Sequence, residues 1–527
     1  MKTLEEVLID WEAVIGLEVH TELTSLNTKM FCSCAFEFGK AENSQVCPIC
    51  LGLPGALPVP NRAAIESIIL AGLATNCQIM PETSFYRKHY FYPDMTKNYQ
   101  ITQGPVAFCM NGELELEVTG HAAEQRTHQA GTSPLIDENG TSYGYTTSIG
   151  ITRIHMEEDA GKLVHIGGTD GRITNSLYSL VDYNRCGAPL IELVTEPDLR
   201  SPEEARLFLQ KLRQIYLALD ISNVSMEEGS LRCDGNISIR RRGESKYGTK
   251  TELKNMNSFK NLHDGLAYEI CRQAEVLENG GTVLQETRHW EPATKRTIAM
   301  RSKEAADDYR YFPDPDLTSF VLSSEFIDSL KARLPELPDA RKARYVEKHG
   351  LSLADAANLA QDPDLAMFFD AALAGPSLGE GAAKASIGDL AKTLANLLLN
   401  DISAWLRQSG STLAEAPFQA ADVAELAALS ADGTLSSKQV KDVFAEMAAS
   451  GKKPSEVVSE RGMQQVSDVD AILIYINNVL SNNADKVEEY RGGKIGLLGF
   501  FVGQVMREMQ GQGNPKLISE LLEESLK

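Results

Sequence analysis

Alternation of apolar and polar positions divides the chain into a strand-rich first part and a helical remainder. Residues 14–20 alternate as a strand, and so do residues 114–118, the run Leu-Glu-Leu-Glu-Val. Residues 148–155, 177–184, 189–194, 231–240 and 249–254 give further strand-like runs. Two helices are predicted among them. Ser201-Pro202-Glu203-Glu204 reads as a capping box with proline at the first helical position, opening a helix that runs to about Leu219. From Ser258 to Asn279 apolar residues recur at helical spacing and stop at Gly280-Gly281. Beyond about Leu334 the texture becomes Ala- and Leu-rich helix, broken at residues 374–381 and 450–455. Residues 467–481 form an apolar helix, and Asn514-Pro515 starts the last one. The predicted fold class is α+β. A mixed or antiparallel sheet domain spans residues 1–335, an all-helical domain spans 336–455 and a small helical tail spans 456–527.

The strand pattern places ionisable side chains on common faces. Glu18 and His20 share one face of their strand, with Val19 on the other. In residues 231–240, Leu231, Cys233, Ile237 and Ile239 take one face, and Arg232, Asp234, Asn236 and Ser238 the other. Asp182 pairs with Asn184 in this way, and Lys250 with Glu252 and Lys254. Glu192 interrupts an apolar strand, and His155-Met156-Glu157-Glu158-Asp159 ends another. A carboxylate in a buried strand is costly unless paired or metal-bound. Several together suit a Mg²⁺ and phosphate site, because Mg²⁺ takes oxygen ligands and shares them with substrate phosphates. A solvated sheet face is the competing reading. Strict alternation puts Glu157, rather than Glu158, on the face of His155; spacing alone does not decide which of the two enters a site.

Composition adds limits. The chain has 527 residues, enough for about three domains. Apolar residues make up 43% and charged residues 24%, which excludes wholesale disorder. The net charge of −22 excludes broad polyanion binding, so any nucleic acid must meet local basic patches. No apolar run reaches the length of about 18 residues that a membrane helix needs, and the acidic start lacks a signal-peptide pattern, so a cytoplasmic protein without membrane contact is expected. The 9 cysteines are then reduced or metal-bound. Cys32, Cys34, Cys47 and Cys50 form two thiol pairs around a short loop, which suits tetrahedral Zn²⁺. Four thiolates leave no open position, so that zinc would be structural.

Two stretches stay open between readings. Residues 86–97 interleave Arg87, Lys88, His89 and Lys97 with aromatic rings, which suits either base stacking and phosphate contact or an ordinary packed loop. The Gly-rich run 491–503, with Lys494 and more distant Arg507 and Lys516, suits either close approach to another surface or tight helix packing. No G-x-x-x-x-G-K-[ST] loop is present, so ATP use would not be of the P-loop type. Nor is an amidase Gly/Ser segment or a glutaminase cysteine signature visible.

The segments VIGLEVH (14–20), LGLPGALPV (51–59), RKHYFYPD (87–94), HMEEDAGK (155–162), MEEGSLRCD (226–234), ELKN (252–255) and DYRYFPD (308–314) together resemble the B subunits of aspartyl/glutamyl-tRNA amidotransferases. The likeness runs in order from about residue 13 to the C-terminus and is densest before about residue 316. It implies a cradle-shaped catalytic domain and a tail that grips tRNA. It also implies a heterotrimer with a glutaminase A subunit and a small C subunit. The implied reaction is ATP-dependent phosphorylation of the side-chain carboxylate of Glu on tRNA(Gln) or Asp on tRNA(Asn), followed by ammonia displacing the phosphate. Carried over by motif, Glu18, His20, Glu158 and Asp234 are the Mg²⁺ and active-site cluster, with Glu192 a further member. Lys88 and Lys97 resemble polar residues near the ammonia path and the active site, and are expected among the catalytic residues. The resemblance thus selects Glu158 where spacing leaves the choice open. The four cysteines are not shared by every member, so zinc rests on their spacing. Residues 121–147 look longer than usual, as an inserted surface loop. A metal-dependent hydrolase and a non-catalytic tRNA-binding scaffold are the alternative functions; the closed cysteine set disfavours the first.

Overall fold

The computed structural model describes residues 2–120, 123, 131–136, 139–167, 173, 175–300, 309–374, 387–462, 469–509, 513 and 515–526. The chain forms two compact units, residues 1–337 and 338–527.

The first unit is built on β1 (Trp11–Glu22), β2 (Phe85–His89), β3 (Tyr99–Gln103), β4 (Cys109–Thr119), β5 (Ser142–Glu158), β6 (Pro189–Thr195), β7 (Leu231–Arg241), β8 (Thr251–Lys254), β9 (Thr287–Glu291), β10 (Arg296–Ala299) and β11 (Phe312–Pro313). They join in the order β10-β9-β8-β7-β1-β6-β5-β3-β2-β11, and β4 also pairs with β5. Of these pairings only β8 with β9 is parallel. The first strand in sequence therefore sits centrally, between strands from near residues 190 and 235. The alternation predicted for residues 14–20 is realised from Leu17 onward, with Leu17 and Val19 buried and Glu18 and His20 half-buried on the other face, whereas Val14 to Gly16 are buried on both faces.

Helices α1 (Arg62–Ala74), α2 (Pro202–Ala218) and α3 (Phe259–Glu278) pack against these strands. α3 begins at its Ser258 cap and ends before Gly280, which takes φ +75°, as the sequence predicts. For α2 only half of the expected capping box forms. The Ser201 hydroxyl accepts from the Glu204 N–H at 3.1 Å. The buried Glu204 carboxylate instead accepts from the Arg200 N–H at 2.7 Å and the Tyr145 hydroxyl at 2.8 Å. Because Ser201 is fully buried, Ser201→Ala is expected to cost about 1 kcal/mol in a denaturant titration.

Strand β5 shows how one residue is accommodated. Its pairing with β6 slips between Val194 and Thr195, which oppose Arg153 and Ile151. This bulge keeps Ile149 and Ile151, then Ile154 and Met156, all buried in the core despite the change of parity. The predicted strand at 177–184 is Tyr178–Asp182, paired with Lys162–Ile166 in a separate two-stranded sheet. The stretch 121–147 is not simply a loop: Thr132–Ile136 is a strand on β5, and β5 itself starts at Ser142. Residues 121–122, 124–130 and 137–138 of it lie outside the described residues. So do residues 375–381 of the loop expected at 374–381, residues 467–468 of the helix found as Val469–Ser481, and Asn514.

The second unit is helical. Within it, one apolar cluster runs from Tyr345 to Val458 and another from Ile472 to Leu526. The helix Ser437–Ser450 ends at Gly451, with φ +70°, where the second break is predicted. Among the described residues no helix is long and apolar enough to cross a membrane.

Candidate functional site

Four neighbouring strands bring four side chains into one row. In register, His155 of β5 opposes Glu192 of β6, Glu192 opposes His20 of β1, and His20 opposes Arg232 of β7. Glu157, two residues beyond His155, joins from the same face. His20 Nε2 stands 3.3 Å from Glu192 Oε2 and 3.9 Å from Glu157 Oε1. His155 Nε2 stands 3.3 Å from Glu192 and 3.8 Å from Glu157. His20, Glu157 and Glu192 each offer a ligand atom within 4.8 Å of the others.

Burial of His20 and His155 disfavours their charge. The two carboxylates outweigh it, raising both imidazoles, His155 to about 9. Burial likewise opposes ionisation of Glu192, but His155 and His20 hold it well below the usual carboxylate range. The cluster is thus two carboxylates facing two imidazoles whose protonated forms are favoured. A divalent cation could take the place of those protons, with its remaining positions left to water or phosphate oxygens. The donor set fits one: two carboxylates and a neutral imidazole. His155 Nδ1 is buried without a hydrogen-bond partner, an observation consistent with a polar group belonging there.

Beside this row lies a second. Glu18 opposes Asp234 across β1 and β7, and Asn236 opposes Glu252 across β7 and β8. Asn236 donates to Glu18 at 2.8 Å, Lys254 to Asp234 at 2.7 Å, and the Thr287 hydroxyl to Glu252 at 2.6 Å. Burial opposes the Lys254 charge, but Asp234 and Glu252 raise its pKa above the ordinary lysine value. Glu18 and Asp234 therefore share the sheet face of His20, each already holding one polar partner.

At the other end of β1, Glu22 meets Asp159 and Arg232. Arg232 binds Asp159 at 2.6 Å and stands 3.9 Å from Glu22. Burial, then the charge of Asp159, pushes the Glu22 carboxyl up to about 8, so it holds a proton near neutrality. A cleft of about 1220 Å³ opens here, bordered by Glu22, Lys40, Lys162, Arg185 and Asp220. That is ample for a nucleotide-sized ligand.

Glu158, expected beside His20, is turned away from it. Alternation along β5 sends it to the face of Met156, opposite Glu157. There it is 1% exposed, accepting from the Ile101 N–H at 2.9 Å and pairing with Lys97 at 2.5 Å. Burial opposes the Lys97 charge, and Glu158 outweighs it. The pair lines a cavity of about 150 Å³ that also touches Cys50 and Gly187. Breaking a buried ion pair from one side leaves an uncompensated charge. Lys97→Met is therefore expected to destabilise the chain by about 3–5 kcal/mol in urea titrations, with Lys97→Met/Glu158→Gln recovering part of the loss. Lys88 lies on the Glu157 face, two strands away, with its Nζ 5.0 Å from the Tyr309 ring. The stretch 86–97, whose residue pattern suits either a contact surface or a loop, thus begins in strand β2 near the edge of the sheet.

The sulfurs of Cys32, Cys34, Cys47 and Cys50 all lie within 4.8 Å of one another, and Cys47 and Cys50 are 3.9 Å apart. Zn–S bonds of about 2.3 Å in a tetrahedron put sulfurs about 3.8 Å apart, so the set could hold zinc. A hydrogen bond from Cys32 draws the Cys50 thiol down to about 4 against the effect of burial.

Sequence reasoning names His155, Glu157, Arg232 and Asp159 without placing them in the site, and does not reach Glu22. The first two carry a usable signal, a shared face with each other; the union with β1 and β6 needs the pairing of distant strands.

Residues 13–328 match the family described as the GatB/GatE catalytic domain, and residues 380–526 match the family described as the GatB domain. The chain is 46% identical over 517 residues to the B subunit of the aspartyl/glutamyl-tRNA(Asn/Gln) amidotransferase of Carboxydothermus hydrogenoformans, covering 98% of this chain and 99% of that protein. It is 45% identical over 518 residues to the protein of the same name from Brevibacillus brevis, covering 98% and 99%. Against that of Geobacter sp. (strain M21) it is 46% identical over 515 residues, covering 97% and 98%.

Proposed function

The chain belongs to the family of aspartyl/glutamyl-tRNA(Asn/Gln) amidotransferase B subunits, and we propose that it performs the ATP-dependent amidation of misacylated Glu-tRNA(Gln), Asp-tRNA(Asn) or both. A carboxylate is a poor electrophile. Its oxygen attacks the γ-phosphorus of ATP, ADP leaves, and an acyl phosphate forms. Ammonia then attacks the acyl carbon, the C–O bond breaks, inorganic phosphate leaves with its electron pair, and a proton is lost to give the amide.

The observation that carries this reading is the row His155–Glu192–His20–Arg232 with Glu157 beside it. His20, Glu157 and Glu192 would hold Mg²⁺, which supplies charge neutralisation for the phosphates. Arg232, anchored by Asp159 and 38% exposed, offers a guanidinium to a phosphate oxygen. Lys254 holds Asp234 in place by an ion pair at 2.7 Å at the edge of the same face. Lys97 and Glu158 line a separate cavity of about 150 Å³, a place suited to the ammonia path rather than to phosphate.

Ammonia would come from a glutaminase A partner, with a small C subunit completing the heterotrimer. Two apolar cores within residues 338–527 support a helical domain followed by a tail for tRNA, with the first core reaching Val458, past the expected boundary at 455. The net charge of −22 favours confined, salt-sensitive tRNA contact. The four cysteines would hold a structural zinc. The test is co-expression with A and C partners: Glu-tRNA(Gln) or Asp-tRNA(Asn) should be amidated only with ATP and glutamine. ATP hydrolysis or tRNA binding without any amide product would overturn the proposal.

A further inference from the structure

Lys29 is used by none of the chemistry above, yet it is the most deeply buried cation of its region. Its side chain is 0% exposed. Among the described residues it forms no ion pair with a carboxylate. Glu158, which a side chain at Gly187 would approach together with Lys29, is committed to Lys97. The Lys29 ammonium donates to the Tyr183 carbonyl at 3.2 Å and to Cys50 Sγ at 3.7 Å.

The backbone holds it there. The Lys29 N–H donates to the Cys34 carbonyl at 2.9 Å, and the next N–H, of Met30, donates to Gly187 at 2.8 Å. Gly187 takes φ +86°, and a Cβ on it would stand 3.6 Å from both Lys29 Cδ and Cys50 Cβ. The positive φ favours glycine there, and the lysine stem and cysteine loop both pack within ordinary contact range of it.

A buried ammonium is costly without a counter-charge. Without metal the set offers at most the lowered Cys50 thiol. Four thiolates around Zn²⁺ carry two negative charges in excess, in a site that is itself buried on the Cys32 and Cys50 side. We infer that Lys29 is the counter-charge of this zinc–thiolate centre, a positioning residue that neutralises part of its excess charge and fixes the Cys50 ligand by N–H···S hydrogen bonding. The inference rests on zinc occupying the four cysteines. It makes the centre and the lysine mutually dependent: each is unfavourable to bury alone. Outer-shell donors of this kind typically govern metal retention.

The experiment uses the full chain. Zinc content is measured first, then the rate of zinc transfer to a chromogenic chelator. The wild type should carry about one zinc per chain. Lys29→Met should release it about ten-fold faster or more. Lys29→Met/Cys34→His removes one thiolate charge together with the lysine charge, and should release zinc more slowly than Lys29→Met. An unchanged release rate in Lys29→Met overturns the assignment. So does a double variant that loses zinc as fast as Lys29→Met, or equal insolubility of both, since either shows a packing role alone. A zinc-free wild type instead overturns the zinc reading itself.

Discussion

Glu192→Gln should lower amidation by the assembled enzyme on the order of 100-fold or more, with little loss of folded protein. Glu192 is the register neighbour of both histidines, and each imidazole lies 3.3 Å from its Oε2. Glutamine keeps the shape and removes the charge. A divalent cation would lose one of two carboxylate ligands, and loss of even an outer-shell partner costs about 10–100-fold. The carboxylate is 15% exposed, so the neutral amide can still be solvated. Single-turnover amidation of preformed misacylated tRNA checks this, with the kcat-type term falling more than tRNA binding. Full activity in Glu192→Gln would remove this cluster from the mechanism.

Cys47→Ser should abolish zinc binding and lower the melting temperature by roughly 5 °C or more. Structural zinc contributes apparent energies of about 10–16 kcal/mol in small zinc peptides, and a fraction of that suffices in a large unit. Residues 23–61 contain no helix or strand and are held by side-chain anchors and single hydrogen bonds, such as Gln45 N–H to Asn184 at 2.8 Å. Met30 and Phe31 are their buried anchors, and the Asn61 amide is held to Thr28 at 2.9 Å. The four sulfurs close the remainder. Metal analysis with parallel thermal melts, with and without a chelator, measures both effects. A variant that melts with the wild type would show that the loop is held by packing alone.

Local features are legible in the sequence, and distant ones are not. Ser201 and Ser258 as caps, Gly280 as a stop, and the alternation around Glu18 and His20 all follow from nearest neighbours along the chain. β2 and β3 do not show, because Phe85–His89 and Tyr99–Gln103 are short and sheet partners half-bury Arg87, Lys88 and Gln100 and bury Thr102 and Gln103. The bulge in β5 is invisible to a strict two-residue period. The placement of β1 between β6 and β7 depends on pairings between residues as distant as Glu22 and Leu190 or Trp11 and Arg241. That placement makes the site, since it unites His20 with Glu192. At residues 157 and 158 alternation and family resemblance diverge. Alternation puts Glu157 with His155, the resemblance chooses Glu158, and the structure follows the alternation because β5 is regular from Arg153, past its bulge, to its end.

The most direct test of the proposed site is therefore the Mg²⁺ dependence of ATP- and glutamine-driven amidation in Glu157→Gln and Glu158→Gln, each assembled with its partner proteins. Glu157→Gln should raise the Mg²⁺ concentration for half-maximal rate about ten-fold or more. Glu158→Gln should leave that concentration unchanged, whatever it costs in stability or in ammonia use. The opposite pattern, with the Mg²⁺ requirement following Glu158 and indifferent to Glu157, would contradict the account.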